Sequence, residues 1–546
     1  MDQLRRRIVA LLLAFLVIGV PQAHTQQNAN SSEVRLERLP AADLGNGHFR
    51  NPILVGPGAD NTVLRVGQDY YMAAGGGWPD QLIWHSRDLI NWIPLTRVLR
   101  TFSGRAWASD LTYYQGKYYL YTTLVDLKKG RVGPLNFAQR SLLGGPTKDE
   151  GDKAWDNVVM WATNPGGPWS EPIHLGVFGL FDPGHVVDRA GNRYLYFNKG
   201  YMIRLSPDGL STIGDLKKVY DGWDYPQDWV VECKCLEAPK ITYHDGNYYL
   251  LSAEGGTAGP STAHMVIVAR SRTVEGPWEN SPYNPLIHTV DNDDLWSRQG
   301  HGTLVEDTNG AWWVQYTGYE RGYEVFGKQT IMLPIVWTAD GWPQVPLNAD
   351  PTKVLDSPPG EDLGNGMPLS DHFDSTTLGI QWQYTPEEIP GRDFRVGNGK
   401  AVLVAAGKIP GDEAILPAGA TVLSVIPVNH SWEVEVKVTV PPGAEGGVLL
   451  DGNLFGDRTW ADLALRDGQA IATWAGQANY LPYSGRQIYL RMRNIKYDIA
   501  CFYSFDGKSW KQFPNATRVS DGRRISLYAA GQGEVVFQDF KYSGLD

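Results

Sequence analysis

The chain has 546 residues, 42% apolar and 20% charged, with a formal net charge of −11 at pH 7. That apolar share can bury full cores and excludes a disordered or fibrous chain, and the length suits two or three domains. The acidic balance leaves no basic surplus for phosphates and argues against nucleic acid as the main partner, while 61 Gly, 35 Pro and 20 Trp point to a turn-rich β protein.

Arg5, Arg6 and Arg7 precede a 13-residue apolar run, Ile8 to Val20, followed by the small and polar PQAHTQQ. This is a secretory signal layout, and the run is short for a membrane span. Residues 1–27 are expected to be a signal peptide, cleaved between Ala23 and Gln27. The protein would then be secreted or periplasmic, with no membrane contact after cleavage; a membrane anchor is the competing reading. Cys233, Cys235 and Cys501 make no disulfide framework, and a C-x-C pair alone has too few ligands for structural zinc. Cys233 and Cys235 share a face of a strand and read as ordinary buried side chains, with room for one bridge.

Five copies of one pattern follow. VGQDYYMAA at Val66, YQGKYYLYTT at Tyr114, DRAGNRYLYFN at Asp188, YHDGNYYLLSA at Tyr243 and EDTNGAWWVQYTG at Glu306 each read as a strand, a Gly-bearing turn and an aromatic strand. The turn glycines, Gly67, Gly116, Gly191, Gly246 and Gly310, are 49, 75, 55 and 64 residues apart. Such spacing suits four-stranded propeller blades of about 50 residues, the longer ones carrying rim loops. A second hairpin recurs in QLIWHSRDLINWIP at Gln81, VVMWATNPGGPWSEP at Val158 and VIVARSRTVEGPWENSP at Val266. A many-stranded sandwich would not produce this repeat. The expectation is an all-β protein: a five-bladed β-propeller over 28–350, a Pro- and Gly-rich linker over 351–368, and a jelly-roll-like β-sandwich over 369–546. In the last part, segments such as WEVEVKVTV at Trp432 alternate apolar and polar residues, as half-buried strands do.

The inner strands of a propeller converge on its axis, so the repeat serves as a ruler. Asp182, Glu237 and His301 each stand nine positions before the turn glycine of their copy; Asp60 stands seven before Gly67 and Asp110 six before Gly116. Any one of these alone reads as a turn residue or cap. An acid or a His at similar depth in every copy points to one shared polar site, because buried polar groups need partners. Two or three carboxylates facing one pocket is what glycoside hydrolysis requires: one protonated to donate to the leaving oxygen, one ionised to activate water, and a third able to raise the donor's pKa by like-charge repulsion. His264 reads equally as a channel residue or a strand terminus, and His301, between Gly300 and Gly302, as a water or cation ligand or a structural His. Trp78, Trp107, Trp223, Trp229 and Trp296 fall in rim segments where flat rings suit sugar stacking, although most of the Trp must be core. Glu254, in SAEGGT, is a candidate for orienting the site. There is no H-E-x-x-H, phosphate-binding Gly loop or G-x-S-x-G.

At these residues the chain closely resembles glycoside hydrolase family 43, five-bladed propeller enzymes that invert the anomeric carbon. NPILVGPGADNTVLRVGQDYY, from Asn51, is similar to the family's opening motif and makes Asp60 look like the general base. FDPGHVVDRAGNRYL, from Phe181, makes Asp182 look like the carboxylate that tunes the acid. EAPKITYHDGNYYLLSAEGGT, from Glu237, makes Glu237 look like the general acid. The stretch from Gly300 makes His301 look like the family's central His, near a bound ion or water and so the candidate metal ligand.

The resemblance covers nearly all of 48–345, and the tail from His372 resembles the concanavalin-like sandwich of β-xylosidase-like members. It departs at Asn61-Thr62 after the base, at WASD (Trp107 to Asp110), and at Lys328, where the family has a substrate-gripping Arg. Lys makes a point contact where Arg makes a fork. The resemblance implies an inverting, exo-acting glycoside hydrolase that releases terminal xylose or arabinofuranose from plant cell-wall oligo- and polysaccharides. Trp78, Trp107, Asp110, His264, His301 and Lys328 are its expected substrate contacts. No cofactor is required, and a structural Ca²⁺ ion near His301 or in the sandwich is compatible with it. The alternatives are galactan or arabinan specificity and a non-catalytic carbohydrate-binding propeller; oligomeric state is not readable.

Overall fold

The computed structural model describes residues 37–56, 60–75, 81–99, 105–125, 155–384, 390–409, 419–452, 458–474, 477–514, 517–519 and 522–546. The expected signal segment and Trp78 lie outside them. Among the described residues the chain is all-β, its only helical turns being Asn198–Gly200 and Glu324–Phe326. Strands such as Lys117–Val125, KYYLYTTLV, carry the aromatic and β-branched residues that fit a pleated surface. The five turn glycines all have positive φ, from +66° to +85°, the conformation a tight hairpin requires and only Gly adopts freely.

Five antiparallel sheets follow one another in chain order. Their first strands are Thr62–Val66, Arg105–Tyr114, Gly184–Val187, Cys233–His244 and Trp296–Glu306; the outer strands follow in sequence out to Ile93–Val98, Ile173–Phe178, Thr212–Lys218, Glu279–Asn280 and Pro343–Gln344. Each first strand touches the next, and the fifth touches the first. Two larger sheets, of eight and six strands, are built from residues within 394–544. In Ser431–Thr439 the apolar residues Val434, Val436 and Val438 are fully buried while Glu435 and Lys437 are not, the alternation that one buried face imposes.

The start of the described chain is tied to the fifth sheet. The Ile53 N–H donates to Thr330 O at 2.9 Å, and the buried Asn51 amide bonds both ways with the Met332 backbone, at 3.0 and 2.9 Å. His48–Arg50 pairs with Val354–Asp356, so part of the stretch read as linker is a strand. This closure carries Asp60 onto the flank of Lys328–Trp337.

The cysteines correct an expectation. Cys233 and Cys235 are half-exposed rather than buried, and they are bonded to each other; Cys501 is a buried free thiol.

Candidate active site

Asp60 and Asp182 stand just before the first strands of their sheets, while Glu237 and His301 lie within theirs. Asp60, Asp182 and His301 all hold left-handed backbone, with φ of +53°, +56° and +55°. Such a conformation costs free energy for a non-Gly residue and clusters at functional sites. The His301 ring is the hub: Nε2 lies 3.4 Å from Asp60 Oδ1, 3.6 Å from Glu237 Oε1 and 4.0 Å from Asp182 Oδ2. One nitrogen therefore holds the Asp60 Oδ1 and Glu237 Oε1 atoms no more than about 7 Å apart.

Each carboxyl has a distinct environment. Burial pushes Asp60 up, but His301 and Lys328 outweigh it, and the net shift is downward. Burial, then the charges of Glu237 and Asp60, push Asp182 up to about 7 against the pull of His301. Burial likewise raises Glu237, but contacts with His264 and His301 outweigh it, and the net shift is downward. That pull is strong only while the rings are cationic, and burial holds His264 toward its neutral form. Among the described residues the partner of His264 Nδ1 is a carbonyl, Arg298 O, at 3.3 Å. The ring proton therefore sits on Nδ1, and the Nε2 lone pair faces Glu237 Oε1 at 3.3 Å. A proton on Glu237 satisfies that lone pair. Asp182 and Glu237 thus titrate as one set.

The remaining expected contacts divide. Lys328, buried, donates from Nζ to Asp60 Oδ1, so its partner here is the base-like carboxylate. Burial disfavours its charge, but Asp60 outweighs that and the ammonium is held cationic. Trp107 is half-buried, its ring 5.2 Å from that of Trp155 and 5.5 Å from that of Phe181. Phe181, Asn198, Cys235, Leu236 and Glu237 share the wall of a cavity of about 230 Å³. Trp296 is core.

Asp110, expected as a sugar contact, is engaged within the fold. Its Oδ1 accepts from Lys240 Nζ at 3.0 Å and Thr62 Oγ1 at 3.1 Å, and its Oδ2 from the His185 N–H at 2.7 Å. Lys240, which the sequence did not single out, also donates to Ser109 O and Pro183 O, at 2.9 and 3.2 Å. This buried pair ties four first strands, or their immediate flanks, together beneath the carboxylates. Glu254 is fully buried and accepts the Trp223 N–H at 3.0 Å behind the Glu237 strand.

Glu237, His264 and His301 bring one ligand atom each within 4.8 Å of one another. Two imidazoles and a carboxylate suit a borderline ion such as zinc. Calcium takes about six to eight oxygens, waters among them, and this set of one carboxylate and two ring nitrogens does not by itself make a calcium site.

The family model for glycosyl hydrolases family 43 matches residues 49–343. The non-reducing end alpha-L-arabinofuranosidase BoGH43B of Bacteroides ovatus is 27% identical over 360 residues, 62% of this chain and 61% of that protein. A beta-xylosidase of Bacillus subtilis is 31% identical over 373 residues, 61% of this chain and 64% of that protein. The chain thus spans less than two thirds of the length of these curated relatives. In fold it is similar to the crystal structure of the GH43 BlXynB protein from Bacillus licheniformis, with a TM-score of 0.76 and 23% identity, covering 91% of this chain and 100% of that one.

Proposed function

Since this chain belongs to glycosyl hydrolases family 43, we propose that it is an inverting, exo-acting glycosidase that releases terminal xylose or arabinofuranose from plant cell-wall oligo- and polysaccharides. The observation that carries the reading is the convergence of Asp60, Asp182 and Glu237 on His301 Nε2. The names of relatives, a beta-xylosidase and an alpha-L-arabinofuranosidase, support the pentose. The five consecutive sheets are read as propeller blades over 28–350. The two larger sheets are read as a jelly-roll-like sandwich over 369–546, joined by 351–368. Residues 1–27 as a signal peptide would make the protein secreted or periplasmic.

In this mechanism Asp60, kept ionised by Lys328 and His301, takes a proton from water. The water attacks the anomeric carbon from the face opposite the leaving group. Glu237, which lines the cavity, protonates the departing oxygen. Asp182 shares the site's proton and accepts the Ala238 N–H at 3.2 Å, which steadies the strand turn next to the acid. Two carboxyls complete this cycle without requiring a cofactor. A second reading, shifted specificity toward arabinan or galactan, is favoured by Lys328: its ammonium is engaged with Asp60, where the family's Arg would grip sugar.

The test is product analysis on aryl pentosides and on arabinoxylan, arabinan and arabinogalactan oligomers, with proton NMR of the first-formed anomer. Single pentose units of inverted configuration are expected; retained configuration or internal oligomers would overturn the reading. Glu237→Gln should lose about 10²–10⁴-fold on natural glycosides.

A further inference from the structure

The strand that carries Glu237 is more distorted than its counterparts. Cys233 pairs with Gly255 and Glu237 with Ala253, so three residues, 234–236, stand opposite the single residue Glu254. The equivalent irregularities in the second and fifth sheets set two residues against one: 107–108 opposite Thr123, and 298–299 opposite Gly318. The arch before Glu237 is therefore one residue larger, and among the described residues it is the one closed by a disulfide, Cys233–Cys235. Bulges next to active sites bend a strand and re-aim a side chain, and an enlarged bulge has more ways to relax.

The surroundings show what the clamp holds. Cys235 has φ +34° and Ala238 φ +52°, so left-handed backbone flanks Glu237 on both sides. Cys235, Leu236 and Glu237 line the same cavity. Behind the arch, Glu254 is fully buried, and Gly222 packs so close that a Cβ there would lie 1.9 Å from Glu254 Oε1. The arch borders buried, closely packed Glu254 and Gly222 as well as the cavity.

We propose that the Cys233–Cys235 disulfide is a positioning element for the acid: it holds the enlarged bulge in the one shape that delivers the Glu237 carboxyl to the departing oxygen. Asp60 and Lys328 are held by their own contact, so the clamp acts on proton donation and leaves water activation alone. The inference rests on the proposed glycosidase reading and on Glu237 as its acid.

The experiment measures kcat and KM for Cys233→Ser/Cys235→Ser, and for wild-type protein reduced with a phosphine and checked by thiol counting. The substrates are oligosaccharides and a series of aryl glycosides of whichever pentose the wild type releases, with graded leaving-group acidity; circular dichroism and thermal unfolding report folding. Opening the clamp is expected to lower kcat on oligosaccharides and weakly acidic phenols by about tenfold or more. Dinitrophenyl glycosides should change by less than about threefold, and KM should stay nearly constant. Glu237→Gln should show the same leaving-group slope, only steeper. A uniform loss across leaving groups, no loss, or failure of both opened forms to fold would overturn the positioning role. A wild type silent on every pentoside would instead overturn the glycosidase reading, since that failure appears before any cysteine is changed.

Discussion

Lys328 Nζ donates to Asp60 Oδ1, joining two residues from opposite ends of the five-sheet unit inside the site. The contact exists because the opening segment is stitched to the strand Lys328–Trp337, with Asn61 Nδ2 also donating to Thr330 Oγ1 at 2.7 Å. Asp60 must be ionised to act as a base. Burial alone would raise it, and His301 with Lys328 brings it below the usual carboxylate value. Lys328→Met removes one of the two opposing charges, so the acid limb of the kcat/KM profile should move to higher pH. Lys328→Arg keeps the charge and should leave that limb low. A pH–rate series on both variants checks this, and an unmoved limb in Lys328→Met would mean the ammonium serves sugar instead.

Asp182 controls the other limb. With Asp182 pushed up to about 7, the set formed with Glu237 holds one proton below that pH and loses it above, so activity should decline as pH rises through about 7. In Asp182→Asn one of the carboxylates that repel Glu237 is gone and only Asp60 remains, so Glu237 gives up its proton at lower pH. The alkaline limb should shift acidward and the optimum narrow. The same limb in both proteins would show that Asp182 does not share the proton.

How far the site was legible follows from what a repeat can encode. Asp182, Glu237 and His301 share one offset because they occupy one position of a repeated strand, and the structure brings all three together. Asp110 obeys nearly the same ruler, yet its carboxylate pairs with Lys240, 130 positions away in another sheet. No local pattern encodes that pairing. The sequence left room for a Cys233–Cys235 bridge but did not show the bulge that carries it, for a related reason: an i, i+2 pair on a regular strand shares a face, and the bulge is set by pairing with a distant strand.

The Asp110–Lys240 pair gives a stability prediction. Lys240→Met strips a buried carboxylate of its charged partner, which costs about 3–5 kcal/mol. Replacing both, as Lys240→Met with Asp110→Leu, should recover part of that, because neither charge is then buried alone. Denaturant unfolding of the two variants measures the difference. A sugar-binding Asp110 would predict the reverse, with Asp110→Leu raising KM and stability unaffected by Lys240→Met.

The last prediction concerns a buried acid pair far from the chemistry. Tyr528 Oη lies 2.7 Å from Glu445 Oε1 and 3.1 Å from Asp462 Oδ2. One hydroxyl proton cannot serve two carboxylates. Arg466 Nε stands 2.6 Å from Glu445 Oε2, which marks Glu445 as the ionised member. Tyr528 then donates to Glu445, and a protonated Asp462 donates to Tyr528. Asp462 is raised well above its usual value, by burial first and by Glu445 second; burial raises Glu445 as well, but Arg466 pulls it back, so Asp462 is the member that keeps the proton. A carboxyl raised in the folded state favours folding below its unfolded value, about 3.9, and that advantage is lost as pH climbs toward the folded value. Asp462→Asn keeps a donor for Tyr528 and cannot ionise. It should match the wild type near pH 4 and exceed it progressively toward pH 8, where a gain on the order of 1 kcal/mol reads as roughly 2–4 °C in Tm. Thermal unfolding across that range decides it: a variant less stable at every pH would mean that Asp462 is ionised in the fold and that its charge, not its proton, is what Tyr528 needs.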